Sequence, residues 1–324
     1  MRFKKFVLFV ILAVSLISVQ QGFAKKIVLK VFHAGSLSVP FGKMEKAFEK
    51  KYPYLDVRRE SSGSVRAVRK VTDLHKPCDV VAVADYTLIP KMMFPKYADH
   101  VKLFAKNKLV LCFTEKSKYA SEINSNNWFK ILARPGVKFG FSNPNEDPCG
   151  YRSVLSIGLA SLYYKNPSIL TNLLGKTSNI VWQKTENGLL FIAPKELKVD
   201  TEKLIVRPKE VDLVALVESG AIDYLFLYKS VVLQHGLKYI ELPDAINLSS
   251  IEKKDFYAKC KIKLANGKVI KGKPIVYGIA ALKDAPHPKE AKLWEDFVTG
   301  KEGKKILESC YQTPIYPAKV IKGK

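Results

Sequence analysis

Eight residues, Cys78-Asp79-Val80-Val81-Ala82-Val83-Ala84-Asp85, constrain the fold of this chain more than any other stretch. The run is a nearly continuous series of small and β-branched residues between two aspartates. It lacks the polar and apolar alternation of a strand exposed on one face. Such a run predicts a strand buried on both faces, as in a parallel sheet with helices on either side. The sequence before it supplies the crossovers that parallel strands need. Lys26 to Phe32 predicts a strand, and Phe41, Met44, Ala47 and Phe48 mark one face of a helix ending before Pro53. Leu55 to Arg59 predicts a second strand, followed by a helix carrying Val65, Val68, Val71 and Leu74. Strands alternating with helices mean an α/β fold.

Beyond Lys108 to Thr114, an apolar strand that leaves this first unit, the pattern restarts. Trp128 to Leu132 predicts a short helix and Val137 to Phe141 a strand. A long helix follows Pro148, with one buried face marked by Tyr151, Val154, Leu155, Gly158, Leu159 and Leu162. Asn179 to Lys184 predicts a strand, whereas Glu186 to Lys198 shows no period of either kind. Leu204 to Arg207 leads to a helix that stops at Gly220, a residue suited to the left-handed C-cap. Ile222 to Tyr228 predicts a buried strand, and Lys261 to Ile270 a hairpin turning at Asn266-Gly267. Pro274 to Ala280 predicts the strand that returns to the first unit, and two helices are expected to finish the chain. Two lobes joined by two crossing strands leave a cleft between them.

Four helix beginnings carry the residues best placed to face that cleft. In Asn145-Glu146-Asp147-Pro148-Cys149-Gly150-Tyr151-Arg152, Pro148 suits the first helical position because its missing N–H would have had no partner there. The N–H groups that follow are unpaired within the helix and carry its positive partial charge, so they favour an anion. The plainer role of Asp147 is a cap that accepts from those same groups. His33-Ala34-Gly35-Ser36 and Glu60-Ser61-Ser62-Gly63-Ser64 repeat the design after the first two strands, with Ser64 either a cap or a ligand-facing hydroxyl. Pro208-Lys209-Glu210 is the fourth. An acid in a first turn interacts favourably with the helix dipole and need do nothing else. Tyr228, at the end of its strand, is either a core tyrosine or a hydroxyl directed into the same space.

The address precedes the fold. Arg2, Lys4 and Lys5 stand before an apolar run from Phe6 to Val19, and Gly22-Phe23-Ala24 supplies small residues for cleavage. Residues 1–24 therefore predict a secretory signal peptide, with an uncleaved membrane anchor as the alternative. The formal charge of +24 suggests anionic partners. Export argues against nucleic acid, and the lysines are spread along the chain rather than interleaved with aromatics in one patch. Five cysteines without metal-ligand spacing are expected to be buried small hydrophobes. Asn247-Leu248-Ser249 forms a glycosylation acceptor.

The ordered set of Val31-Phe32-His33-Ala34-Gly35-Ser36-Leu37, Ser61-Ser62-Gly63-Ser64, Asp79 to Asp85, Asp147 to Arg152, and Val217-Glu218-Ser219-Gly220 followed by Ile222 to Tyr228 resembles the periplasmic binding proteins of ABC importers. It is most similar to the archaeal branch of the molybdate and tungstate binders. The resemblance implies a type II two-lobed fold of mixed sheets flanked by helices. Lobe 1 would comprise residues 25–106 and 275–324, and lobe 2 residues 107–274. It implies an exported, membrane-associated binder without catalysis or cofactor, whose partners are the oxyanion and a permease with its ATPase. Gly35, Ser36, Ser64, Asp147, Pro148, Cys149 and Tyr228 would hold the oxyanion. Asp147 and Glu210, rather than nearby Glu218, would add two carboxylate bonds, making the metal six-coordinate.

Physical reasoning bears on those two acids. Carboxylates beside a bound dianion in a dry cleft repel it strongly, so they are neutralised, lie elsewhere, or bond to a cationic centre. Molybdenum(VI) and tungsten(VI) are hard centres that accept further oxygen donors; the sulfur of sulfate and the phosphorus of phosphate do not. The alternatives are a sulfate or phosphate binder on the same scaffold, or an enzyme using Cys149 as a nucleophile at a helix mouth. The latter has no evident base, since the five histidines stand in no recognisable relation to Cys149.

Overall fold

A computed structural model describes residues 26–323, so the signal-peptide reading of residues 1–24 lies outside the described residues. The first strand, β1 (Ile27–Ala34), runs through a 3-10 turn at Gly35–Leu37 into α1 (Ser38–Lys51). Then come β2 (Leu55–Ser62), α2 (Ser64–Thr72), β3 (Val80–Val83), α3 (Leu88–Met92) and β4 (His100–Lys106). The chain crosses to β5 (Leu109–Phe113), α4 (Trp128–Ala133), β6 (Phe139–Ser142) and α5 (Pro148–Tyr163). Next are β7 (Val181–Thr185), β8 (Gly188–Ile192), β9 (Leu204–Arg207), a 3-10 turn at Glu210–Leu213 and a helix at Val214–Ser219. Strands β10 (Tyr224–Tyr228), β11 (Lys238–Glu241), β12 (Cys260–Lys263) and β13 (Val269–Lys271) follow. The chain crosses back to β14 (Val276–Ala281), helices Pro288–Thr299 and Lys301–Ser309, and β15 (Thr313–Lys322).

The strands of the described residues form three sheets. One has the order β15-β4-β14-β3-β1-β2, the second β11-β5-β10-β6-β9, and a smaller one β13-β12-β8-β7. We assign the first sheet and its helices to lobe 1 and the other two to lobe 2. Within lobe 1, β1 pairs in parallel with β2 and with β3; within lobe 2, β6 pairs in parallel with β9 and with β10. Each lobe thus ends three parallel strands side by side at their carboxyl termini, where an open α/β sheet offers its crevice.

Aromatic packing holds lobe 1 on its helical side. Trp294 meets Phe41 and Phe48 edge-on, with ring centroids 5.7 and 5.1 Å away, and each ring pair adds about 0.5–1.5 kcal/mol beyond burial alone. In lobe 2, Trp128 stands edge-on to Phe226 at 5.6 Å. Gly220 ends its helix with φ +80, the left-handed cap expected of it. Among the described residues no helix is long and apolar enough to cross a membrane.

The structure corrects several local expectations. The stretch Glu186 to Lys198, aperiodic in sequence, contains β8, which pairs with both β7 and β12. That sheet covers the far side of α5, so Pro148 to Ser161 is buried all round rather than on one face. A Cβ added at Gly158 would lie only 2.6 Å from Phe191 on β8, so this close approach requires glycine. The chain does not finish with two helices: β15 follows them and pairs antiparallel with β4. Its register shifts between Pro314 and Lys319, and most of its residues are exposed or half-exposed, so it lacks the apolar alternation that marks a strand. Asn247 is 1 % exposed, and its Nδ2 donates to Leu242 O at 3.0 Å and Asp244 Oδ1 at 2.9 Å. An internally bonded, buried amide does not serve as a glycan acceptor.

Candidate functional site

The turns that end the parallel strands of the two lobes meet face to face. After β1 and β2 come Gly35-Ser36 and Gly63-Ser64; after β6 and β9 come Asp147 and Glu210, and Tyr228 is the last residue of β10. Ser36, Ser64, Cys149 and Tyr228 are fully buried, and Asp147 and Glu210 are each 1 % exposed. The cleft is closed. Its closure is visible in the backbone, where the Glu146 carbonyl of lobe 2 accepts from Val65 N and Arg66 N at 3.1 and 3.3 Å. Thus the α2 mouth spends the N–H groups of Val65 and Arg66 on the opposite lobe, and the Ser64 hydroxyl remains as its side-chain contribution. Of the two roles open to Ser64 the cap is not taken, because Gly63 occupies that position.

Asp147 stands at the N-cap of α5 without a side-chain capping bond. Its Oδ2 instead accepts the backbone N–H of Glu210 at 3.2 Å. Burial acts first to raise the Asp147 pKa, and contact with Glu210 works against that rise. Burial and then the charge of Asp147 push Glu210 well above the usual carboxylate range. Two carboxyls crowded into one buried site resist ionising together, which is why Glu210 takes the larger rise. Both Glu210 oxygens are buried without a hydrogen-bond partner among the described residues. They press on Gly35, where an added Cβ would lie 2.8 Å from Glu210 Oε2. Glu218, the neighbouring acid, is exposed beside His235 at 3.2 Å.

Each hydroxyl of the site accepts one hydrogen bond from the protein. Ser36 Oγ accepts from Tyr277 Oη at 2.9 Å, Ser64 Oγ from Ala84 N at 2.9 Å, and Tyr228 Oη from Arg152 Nη1 at 2.7 Å. Arg152 is a residue that sequence reasoning quoted in its motif without assigning it a role. It is 2 % exposed, reaches from α5 to Ala84 O of the opposite lobe at 2.9 Å, and leaves Nη2 without a partner among the described residues. Its neighbour Tyr151 donates to Asp85 Oδ2 at 2.7 Å, while Lys273 meets Asp85 Oδ1 at 2.8 Å. An arginine falling on the buried face of a helix was the available signal for this interlobe contact.

Other residues stay apart from the chemistry. The Cys149 thiol is pushed well above its ordinary pKa, first by burial and then by Asp147 and Glu210, and its Sγ lies 3.7 Å from Phe226 O. A nucleophilic cysteine needs the opposite shift. Burial lowers His33 to about 3, so its ring is neutral, bonded at Nδ1 to Ala34 O at 2.8 Å. All five cysteines are buried and unpaired. Among the described residues no group of three or more His, Cys, Asp or Glu side chains is placed to hold a metal ion. Asp147 and Glu210 alone are too few for a bare cation, but they suit a centre that brings oxygens of its own.

The chain is 53 % identical over 300 residues to the molybdate/tungstate-binding protein WtpA of Pyrococcus abyssi, covering 89 % of this chain and 85 % of that relative. Among solved structures it resembles the periplasmic molybdate-binding protein of Azotobacter vinelandii, with TM-score 0.60 and 17 % identity over 88 % of this chain and 98 % of that one. The sulfate-binding protein SubI of Mycobacterium tuberculosis gives TM-score 0.59 and 12 % identity over 90 % and 88 % of the two chains. At these identities the structural likeness speaks to the fold alone, and the fold serves more than one anion. The sequence pattern of the bacterial extracellular solute-binding proteins matches residues 29–310, and this chain belongs to that family.

Proposed function

We propose that this protein captures molybdate or tungstate between its lobes and delivers it to an ABC permease with its ATPase. The observation that carries the reading is the Asp147–Glu210 pair: two buried acids brought together, with both Glu210 oxygens lacking a hydrogen-bond partner among the described residues, beside hydroxyls that have hydrogens to give. A sulfate or phosphate would meet only repulsion from such a pair once it ionised. A hard hexavalent centre instead takes one oxygen from each carboxylate and completes six-fold coordination with its four oxo groups. Gly35, Ser36, Ser64 and Tyr228 hold those oxo groups, and the Pro148-Cys149 turn at the mouth of α5 faces them. The likeness to the WtpA protein of Pyrococcus abyssi supports the same ligand.

In this reading the protein binds and releases without covalent chemistry and needs no cofactor beyond its cargo. It is exported, works outside the cytoplasm, and meets the membrane through its permease or an uncleaved signal anchor. Nucleic acid is not a partner. Titration calorimetry of ligand-free residues 25–324 with tungstate, molybdate and sulfate at equal ionic strength tests it. Tight binding of the first two with no sulfate heat is expected, together with its loss in Asp147→Ala and Glu210→Ala. Sulfate binding that survives both substitutions would overturn it.

A further inference from the structure

The two connections between the lobes contribute more than a hinge. Asn107 lies between β4 and β5, on the first crossing, and Tyr277 lies on β14, just after the second. Asn107 Oδ1 accepts backbone N–H groups from Lys108 at 3.0 Å and Ser230 at 3.4 Å. Those donors fix which way the amide faces, so Nδ2 must donate. It donates to Ser230 Oγ at 2.8 Å and to Tyr277 Oη at 3.2 Å. With that bond arriving at its oxygen, the Tyr277 hydroxyl sends its own hydrogen to Ser36 Oγ at 2.9 Å. Ser36 thereby receives a hydrogen bond, and its single hydrogen is left to be given away.

The direction of every bond in this chain is set by the backbone at its far end. We propose that Asn107 and Tyr277 are positioning residues which act through Ser36, holding its hydroxyl as a donor to an oxo group of the bound oxyanion. The inference rests on the reading of the site given above. The other two hydroxyls have the same arrangement by different means, Ser64 receiving from a backbone N–H and Tyr228 from a guanidinium that has no acceptor. A serine free to rotate would sample orientations that present a lone pair to the anion, and fixing it beforehand removes that cost. The chain also starts on an amide anchored to Ser230 of lobe 2 and ends on a serine of lobe 1, so it crosses between the lobes.

A double-mutant cycle tests this, with tungstate affinity measured by calorimetry for wild type, Tyr277→Phe, Ser36→Ala and the combination. Tyr277→Phe should weaken binding about tenfold to a hundredfold, the range of a hydrogen bond to a charged acceptor. In the Ser36→Ala background the same substitution should change affinity little. Asn107→Asp gives a second entry to the chain, since a carboxylate there would accept from Tyr277 and turn its hydrogen away from Ser36. Its loss should likewise disappear without Ser36, and ligand-free melting curves establish that each variant is folded. Equal losses with and without Ser36, or no loss in the wild-type background, would overturn the proposal while leaving the ligand assignment standing. Wild-type protein that binds neither tungstate nor molybdate would overturn both.

Discussion

Asp147 Oδ2 accepts the backbone N–H of Glu210 at 3.2 Å, joining the first turns of two elements 63 residues apart in the chain. The contact brings the Glu210 carboxyl against that of Asp147 in a site from which water is excluded. Such a pair costs stability in the ligand-free protein, because two desolvated carboxyls share one small volume. Glu210→Gln should therefore leave the ligand-free protein as stable as wild type, or more stable by about 1 kcal/mol. Tungstate affinity should fall in the same variant. Thermal melts with and without tungstate check this, and a large ligand-free destabilisation with unchanged affinity would contradict it.

Gly35 faces the same carboxyl from the other lobe. Gly35→Ala places a methyl 2.8 Å from Glu210 Oε2, so either the turn or the glutamate must move. We expect a loss of about 1–3 kcal/mol in the closed form, the usual range for overfilling a packed position. The loss should be much larger in tungstate affinity than in ligand-free stability, because an open cleft relieves the clash. Calorimetry and melting curves on one preparation separate the two.

Asp85 gives the expected pH dependence. Burial acts first to raise its pKa, but Lys273 and Arg152 outweigh it and hold the carboxyl below its ordinary 3.8. A depressed carboxyl adds stability that is complete above the unfolded value and is lost as pH falls through the folded value. Asp85→Asn should cost about 2–4 kcal/mol near neutral pH, because it removes the countercharge of buried Arg152 and half-buried Lys273. The gap from wild type should begin to narrow below roughly pH 4 and close only as pH falls through the folded value. Urea unfolding at about pH 7, 4 and 2.5 measures this, and a gap as wide at the lowest pH as at neutrality would refute it.

The cysteines should be silent in the native protein. Burial raises Cys78 to about 12 and Cys149 well above its ordinary value, so neither carries appreciable thiolate at neutral pH. Mass spectrometry after iodoacetamide treatment should find no label without denaturant and five labels with it. Rapid native labelling of Cys149 would contradict the packing described here.

Much of the fold was legible because it is written locally. A β-branched run such as Val80 to Val83 makes a strand buried on both faces, and Pro148 begins a helix because its ring fixes the backbone and removes an unneeded donor. The same locality explains the misses: β8 and β15 take their strand form from the partners they meet, not from a period of their own. Amide Asn247 sits in an acceptor triplet, yet the packing around it decides that it is buried.

Sequence alone determined that this chain makes helix mouths rich in small and acidic residues at the ends of parallel strands. Only the tertiary structure decided that Asp147 meets Glu210, that Arg152 crosses to Ala84, and that Asn107, Tyr277 and Ser36 form one directed chain. The reason is physical. Helices and strands follow from repeats a few residues long, whereas the direction of a hydrogen bond depends on which donor already occupies an oxygen, and that donor arrives from a distant part of the chain.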